Sequence, residues 1–336
     1  NPIDGTLTTN EDFDSFLYFT YIQNSSLDTS SLHGLLKRKN KSPYTEKLKD
    51  YNSALHLDNK LTIQYLKSKS LKRKNIKYIS DTVSKIERDE TGKVEKIICS
   101  NNIIEGDIFI DCTGYSRIFS EKSDWVSFKN NLPMNSVTTF TRKHQESMVT
   151  KADKLKLGWC WQIPTQERLG CGYVSCDEWG DDVVDEIKFN YSDAEIIKSF
   201  KFESGKLKKS WNHNVISLGL AYHFLEPLQA TNIHLTLVQI DMLCQKCIRD
   251  TKDRTLNPNV ISYYNKHIDN LIEDFKNFIN IHYSCDTRVK MTDYNNEIID
   301  LLKVRGLFHE DILQVYGSCG IQLWGHTLLG LNHLTK

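Results

Sequence analysis

Gly106-Asp107-Ile108-Phe109-Ile110-Asp111-Cys112-Thr113-Gly114-Tyr115 is the stretch from which the fold can be read. Its short apolar run, Ile108-Phe109-Ile110, suits a strand buried on both faces, as in a parallel sheet covered by helices. Asp111 and Gly114 follow where that strand leaves the sheet. In open α/β sheets ligands bind at such carboxyl ends, and a glycine there lets the backbone approach a ligand closely. By itself the stretch is equally compatible with an ordinary strand-to-turn junction. Upstream, Ala54 to Lys74 carries Leu57, Leu61, Tyr65, Leu66 and Leu71 as a helical stripe. Ile76 to Val83 and Val94 to Cys99, the latter after a Thr91-Gly92 turn, have the length and β-branched content of strands. A helix followed by strands on this scale reads as the back half of a nucleotide-binding α/β unit.

Composition sets the frame. At 336 residues the chain can form one large or two ordinary domains, and 39% hydrophobic with 26% charged residues reads as globular. Lys+Arg and Asp+Glu both count 43, so no global field favours nucleic acid or an anionic membrane. The basic runs Lys37 to Lys41 and Lys67 to Lys77 read as solvated faces. No apolar run approaches the ~18 residues needed to cross a bilayer. Nine cysteines without regular spacing fit reduced thiols, hence a cytoplasmic setting, and no metal motif. Cys244-Gln245-Lys246-Cys247 has no second pair for zinc and reads as two buried helix cysteines.

Asn1 to Asp50 is polar and reads as surface loops or a flap. Ser127 to Arg142 and Trp159 to Ser175 alternate enough for an antiparallel layer, and Asp177 to Phe200 reads as a helix. In Gly158-Trp159-Cys160-Trp161-Gln162-Ile163-Pro164, alternation places both indoles on one face and Cys160 and Gln162 on the other. Pro164 ends that strand because it cannot donate to the ladder. Ser210 to Ala221 reads as a strand running into a glycine turn at Gly219. Beyond it Ile233, Leu237, Ile240, Cys244 and Cys247 share one helical face, so a helix starts near Thr231, with Thr231 as a competent N-cap. The unpaired first amides of such a helix suit an anion, although a plain cap is the commoner use. Ile261, Tyr264, Ile268, Leu271, Phe275, Phe278 and Ile279 form an amphipathic stripe, and His282 continues it as a core histidine.

Several of these segments resemble one family. Trp159 to Pro164 reads Trp-x-Trp-x-Ile-Pro, which resembles the signature of the flavin-dependent halogenases, the tryptophan halogenase family; Arg168-Leu169-Gly170-Cys171-Gly172-Tyr173-Val174 resembles its continuation. Asp111-Cys112-Thr113-Gly114-Tyr115 is similar to the family's Asp-Cys-Ser-Gly-Phe. Phe224-Leu225-Glu226-Pro227-Leu228-Gln229-Ala230-Thr231 resembles its Phe-x-Glu-Pro-Leu-Glu-Ser/Ala-Thr, and Phe278 to Tyr283 its Phe-x-x-x-His-Tyr.

The resemblance implies an α/β (α+β) flavoprotein: a glutathione-reductase-like, Rossmann-type FAD-binding core (51–120 and 206–232), a substrate-side antiparallel sheet (121–205) and a C-terminal helical region (233–336). It implies FAD, used as FADH2 from a separate flavin reductase, with O2 and a halide, acting on a small electron-rich aromatic through hypohalous acid. It is also compatible with a homodimer. Asp111, Gly114, Gly219 and Leu228 would contact the cofactor, and the Thr231 and Asn232 amides would hold the halide. Trp159, Trp161 and Pro164 would wall a tunnel to the substrate. Glu226 and Gln229 fall in the catalytic segment, but Gln229 stands where the family places its glutamate, and an amide cannot act as a general base.

A Gly-x-Gly-x-x-Gly fingerprint is not found. The nearest approach, Gly170-Cys171-Gly172-Tyr173-Val174-Ser175, fails at its last position. The family's catalytic lysine belongs to that upstream region as well. With Asn1 as its first residue, the chain reads as lacking an N-terminal half-domain. Two alternatives remain open: a flavin monooxygenase or reductase of the same fold, and a non-catalytic descendant.

Overall fold

The computed structural model describes residues 39, 56–143, 147, 149–248, 257–313, 315–331 and 333. The expected 1–50 flap lies outside them, apart from Lys39. The chain divides into two compact units, one built on Thr82–Pro133 and Glu203–Lys336, the other on Met134–Phe202 with residues before Thr82.

In the first unit, β1 (Val83–Arg88), β2 (Val94–Cys99) and β3 (Ile103–Glu105) form an antiparallel sheet. Gly92, at φ 90°, turns β1 into β2. The expected strand Ile76–Val83 is displaced: pairing begins only at Val83, and Ile76 and Tyr78 are exposed with no sheet partner among the described residues. β4 (Phe109–Asp111) runs parallel to β13 (Val215–Ser217), with Ser217 opposite Asp111, and β12 (Trp211–Asn212) closes that sheet. The Asn214 side chain locks the two sheets together, accepting from the Val94 amide and donating to its carbonyl, each at 2.8 Å. β5 (Trp125–Ser127), β11 (Gly205–Leu207) and β14 (His223–Phe224) make a third small sheet. Of the antiparallel layer expected from Ser127–Arg142, Ser127 instead ends β5 and pairs with Gly205 of β11, and the layer itself begins at Ser136.

Helices α3 (Thr231–Met242), α4 (Pro258–Ile281), α5 (Asp293–Leu302) and α6 (Ile321–Gly330) complete this unit. α4 follows its sequence stripe: Tyr264, Ile268, Leu271, Phe275, Phe278 and Ile279 are buried. α3 does not. Its buried face is Leu235, Val238, Gln239 and Met242, whereas Ile233, Leu237 and Ile240 are exposed. The true face carries a glutamine, so counting apolar residues selected the wrong side. Leu243–Ile248 then winds as a π-helix, which adds a residue per turn. Cys247 is buried but Cys244 is exposed, correcting the reading of two buried thiols.

The second unit holds a five-stranded antiparallel sheet in the order β10-β6-β9-β8-β7: β6 (Ser136–Arg142), β7 (Lys151–Lys154), β8 (Gly158–Pro164), β9 (Leu169–Ser175) and β10 (Glu195–Lys201). Among its helices are α1 (Asn59–Ser70), none of whose residues is buried, and α2 (Val183–Asn190). The single helix expected over Asp177–Phe200 is corrected by α2 and β10. The chain leaves the helix at Tyr191 and turns, then runs as an edge strand whose seven residues are all exposed. An edge strand without a buried face leaves no period-2 signature to read.

Candidate active site

β4 and β13 leave their sheet together, and the Leu218 amide donates to the Asp111 carbonyl at 3.0 Å. The Asp111 carboxylate is fully buried. Its Oδ1 accepts from the Thr113 amide (2.8 Å) and hydroxyl (2.6 Å), while Oδ2 has no hydrogen-bond partner among the described residues. Buried polar atoms are normally paired, so this oxygen is an acceptor left over for a further donor. Gly114 follows at φ 64°, with open space where a Cβ would stand. The turn Gly114–Ser116 packs against the turn Gly219–Ala221, bringing Gly114 and Gly219 to one place. Gly219 is also left-handed, at φ 56°, and its amide donates to Gln239 Oε1 at 3.1 Å.

From there the chain passes through β14 into Glu226-Pro227-Leu228-Gln229-Ala230 and enters α3. Gln229 (φ 60°) and Ala230 (φ 53°) are consecutive left-handed residues. Each costs an L-residue roughly 1–2 kcal/mol, so the loop must be held from outside. The Asn232 side chain supplies one tie: Leu225 N–H donates to its Oδ1 (2.9 Å) and its Nδ2 donates to the Leu225 carbonyl (2.7 Å). Glu226 supplies another, fully buried and accepting the Tyr283 hydroxyl. Leu228 is buried beside them.

Thr231 is not the cap. Ala230 occupies that position and has no side-chain acceptor, and Thr231 is the first helical residue. The left-handed turn moves the helix start past the threonine. Its Oγ1 is buried without a partner among the described residues. The first amides of α3, at Thr231 and Asn232, therefore lack both an intrahelical partner and, among the described residues, a side-chain cap. An uncapped helix start carries a partial positive charge suited to an anion.

His282, read from sequence as a core residue, reaches this loop. It caps the C-terminus of α4, its Nδ1 lies 2.8 Å from the Phe278 carbonyl, and its Nε2 lies 3.4 Å from the Gln229 amide nitrogen. Burial holds its pKa below the ordinary imidazole value, opposed by hydrogen bonds to the Phe278 and Ile279 carbonyls. The pairing was invisible in sequence because 53 residues separate the partners. His223, also missed, is fully buried, and burial with the nearby Arg117 guanidinium brings its pKa down to about 3. Arg117 lies 3.7 Å from the centroid of the Trp125 ring.

Trp159, Trp161 and Pro164 lie together on β8 of the other unit. The indoles share one face, 6.1 Å apart, and Cys160 and Gln162 occupy the other, as alternation implied. Gln162 is satisfied by Arg142 (2.9 Å) and Asp153 (2.6 Å). Among the described residues no cluster of His, Cys, Asp or Glu could hold a metal, and no helix is long and apolar enough to cross a membrane.

The tryptophan halogenase family model matches residues 18–301. Tryptophan 7-halogenase RebH of Lentzea aerocolonigenes is 26% identical over 251 residues, covering 70% of this chain and 47% of that protein. Tryptophan 6-halogenase ThaL of Streptomyces albogriseolus is 25% identical over 254 residues, 71% of this chain and 47% of that protein. The chain thus spans about half the length of the curated relatives it matches. The crystal structure of the tryptophan 6-halogenase SttH of Streptomyces toxytricini superimposes with a TM-score of 0.82 at 21% identity, over 93% of this chain and 70% of that one, so the α/β fold is shared. With a family-model match across most of its length, the chain belongs to the tryptophan halogenase family of flavin-dependent halogenases.

Proposed function

We propose that the protein takes part in FADH2- and O2-dependent halogenation of a small electron-rich aromatic, indole- or phenol-like. The observation that carries this is the uncapped start of α3 at Thr231 and Asn232, on a helix whose Thr236 and Gln239 meet the Gly219 turn, which in turn packs on the Gly114 turn. Asp111 and the two glycine turns suit the hydroxyl-bearing part of a flavin dinucleotide: one carboxylate oxygen is unmatched and the Gly114 Cβ position is open. Leu228 would flank it. Bound reduced FAD, supplied by a separate flavin reductase, provides with O2 the two-electron oxidation of halide to hypohalous acid.

The chain's own residues would do three things. The Thr231 and Asn232 amides hold the halide through partial charge, without a metal or an arginine. Asn232 and Glu226 fix the loop that presents those amides. Gln229 offers a neutral amide where the family has a carboxylate, so it can orient an oxidised halogen by hydrogen bonding but cannot accept a proton. Trp159, Trp161 and Pro164 as a substrate wall, a homodimer and a cytoplasmic setting are further parts of the proposal that rest on the family resemblance and composition.

Gln229 itself favours a second reading, a halogenase descendant that binds without turnover. One assay separates the readings: reduced FAD, O2 and bromide with indole or phenol, followed by mass spectrometry. A brominated product supports halogenation. A halide-independent oxygenated product indicates a monooxygenase, and flavin binding without turnover indicates the descendant.

A further inference from the structure

The C-terminal end of α4 delivers two neighbouring side chains, His282 and Tyr283, to the same loop three residues apart. Tyr283 donates its hydroxyl to buried Glu226, and His282 Nε2 faces the Gln229 amide nitrogen at 3.4 Å, a long hydrogen bond. Both partners lie on the segment that contains the left-handed pair Gln229-Ala230 and leads into α3. The tautomer follows from the contacts. Nδ1, 2.8 Å from the Phe278 carbonyl, must carry a proton. In the neutral ring Nε2 is then an acceptor, matched to an amide N–H donor and mismatched to a carboxylate oxygen. The ring also packs edge-on to Phe278 at 5.0 Å. Among the described residues, the polar groups facing His282 from the adjoining elements are the Gln229 amide and the Phe278 and Ile279 carbonyls, none of them charged.

We propose that His282 is a positioning residue that reads the side chain at 229: neutral, it accepts from the Gln229 amide and sets its orientation, and with a carboxylate at 229 it takes up a proton and donates. The pair then carries the same net charge in either form, zero for Gln with neutral imidazole and zero for Glu with imidazolium. A Gln-for-Glu exchange beside an anion site is thereby electrostatically compensated by the helix end that clamps the loop. This rests on the reading of position 229 as part of the reaction centre, although the proton uptake does not.

The test is an NMR titration of the chain with 15N-labelled histidine, the His282 resonances being identified by their loss in His282→Gln. The expected result is the Nδ1–H tautomer with a pKa below the ordinary value, and a rise of about one unit or more in Gln229→Glu, the size an adjacent carboxylate produces. An Nε2–H tautomer, or a pKa that Gln229→Glu leaves within about 0.3 unit, overturns the proposal, since ordinary shifts of one unit report a factor of ten. A thermal melt confirms that both variants are folded. The same shift in Gln229→Ala would also overturn it, because loss of the amide alone would then be the cause. If the shift is present while no halide-dependent turnover occurs, the proposed function fails and the clamp stands.

Discussion

Replacing Asp274 by Asn should change the stability of the first unit in a pH-dependent way, with a net gain at alkaline pH and little or none at pH 5. Asp274 sits on α4, 2% exposed; its Oδ2 accepts the Cys319 amide at 2.8 Å and its Oδ1 has no hydrogen-bond partner among the described residues. Burial pushes its pKa up from 3.8 to about 7, opposed by the Cys319 amide. A carboxyl raised on folding contributes no penalty below the unfolded value of 3.8. The penalty grows as pH rises through the interval to about 7 and is complete above it. A rise of roughly three units corresponds to about 4 kcal/mol at pH 8 and about 2 kcal/mol at pH 5. Asn keeps the acceptor for Cys319 but buries a new amide donor, which costs about 1–3 kcal/mol at every pH. The stability difference between variant and parent should therefore grow by about 2 kcal/mol between pH 5 and pH 8. The loop held by Asp274 also receives His234 of α3 on its Gly317 carbonyl at 2.8 Å, so the change bears on the helix that opens the site. Urea unfolding at pH 5, 6, 7 and 8 reads the difference. Curves that stay parallel across that range would refute the reasoning.

The remaining expectations concern the site and the two cores. Gly172→Ala would put a Cβ 2.0 Å from the Trp161 ring; the indole must leave its place on β8, costing about 1–3 kcal/mol or more, and an unchanged melting temperature would show that the sheet absorbs it. His223 is held neutral, its pKa depressed to about 3 from 6.5, so the unfolded chain binds the proton first and stability falls as pH drops from 6.5 toward 3. His223→Phe should flatten that acid limb in fluorescence-monitored unfolding, and an identical acid limb would mean that the imidazole is not held neutral. Asp111→Ala should weaken FAD binding about tenfold or more, the value of a charge-assisted hydrogen bond to a ligand hydroxyl. Equal affinity by flavin-fluorescence titration would remove Asp111 from the cofactor site.

What was legible in the sequence was set by local rules. Ile108-Phe109-Ile110 identified a strand but not its burial: the strand runs Phe109–Asp111, and with Phe109 and Asp111 buried and Ile110 51% exposed it is covered on one face rather than on both. α4 followed its stripe because its buried residues are almost all apolar. Alternation placed both indoles correctly on β8. Failures occurred where tertiary pairing decides. β10 is an exposed edge strand with no periodic face, and the buried face of α3 includes Gln239, whose side chain is spent on Gly219 and Ser210. Thr231 failed as a cap for a related reason: composition ranks threonine above alanine at that position, but Gln229 and Ala230 are forced left-handed. The Asn232 and Tyr283 ties that hold them there span 7 and 57 residues. The motif thus revealed which residues meet at the helix start, while their roles depend on contacts no local pattern encodes. The same holds for His282. Its place on the apolar stripe is real, and the partner that gives it a chemical consequence arrives from another part of the chain. A site assembled this way can keep its backbone amides in place while one side chain changes, because the loop geometry is fixed by Asn232, Glu226 and Tyr283 rather than by residue 229. That is the physical reason a glutamine can stand at that position without dismantling the helix start beside it.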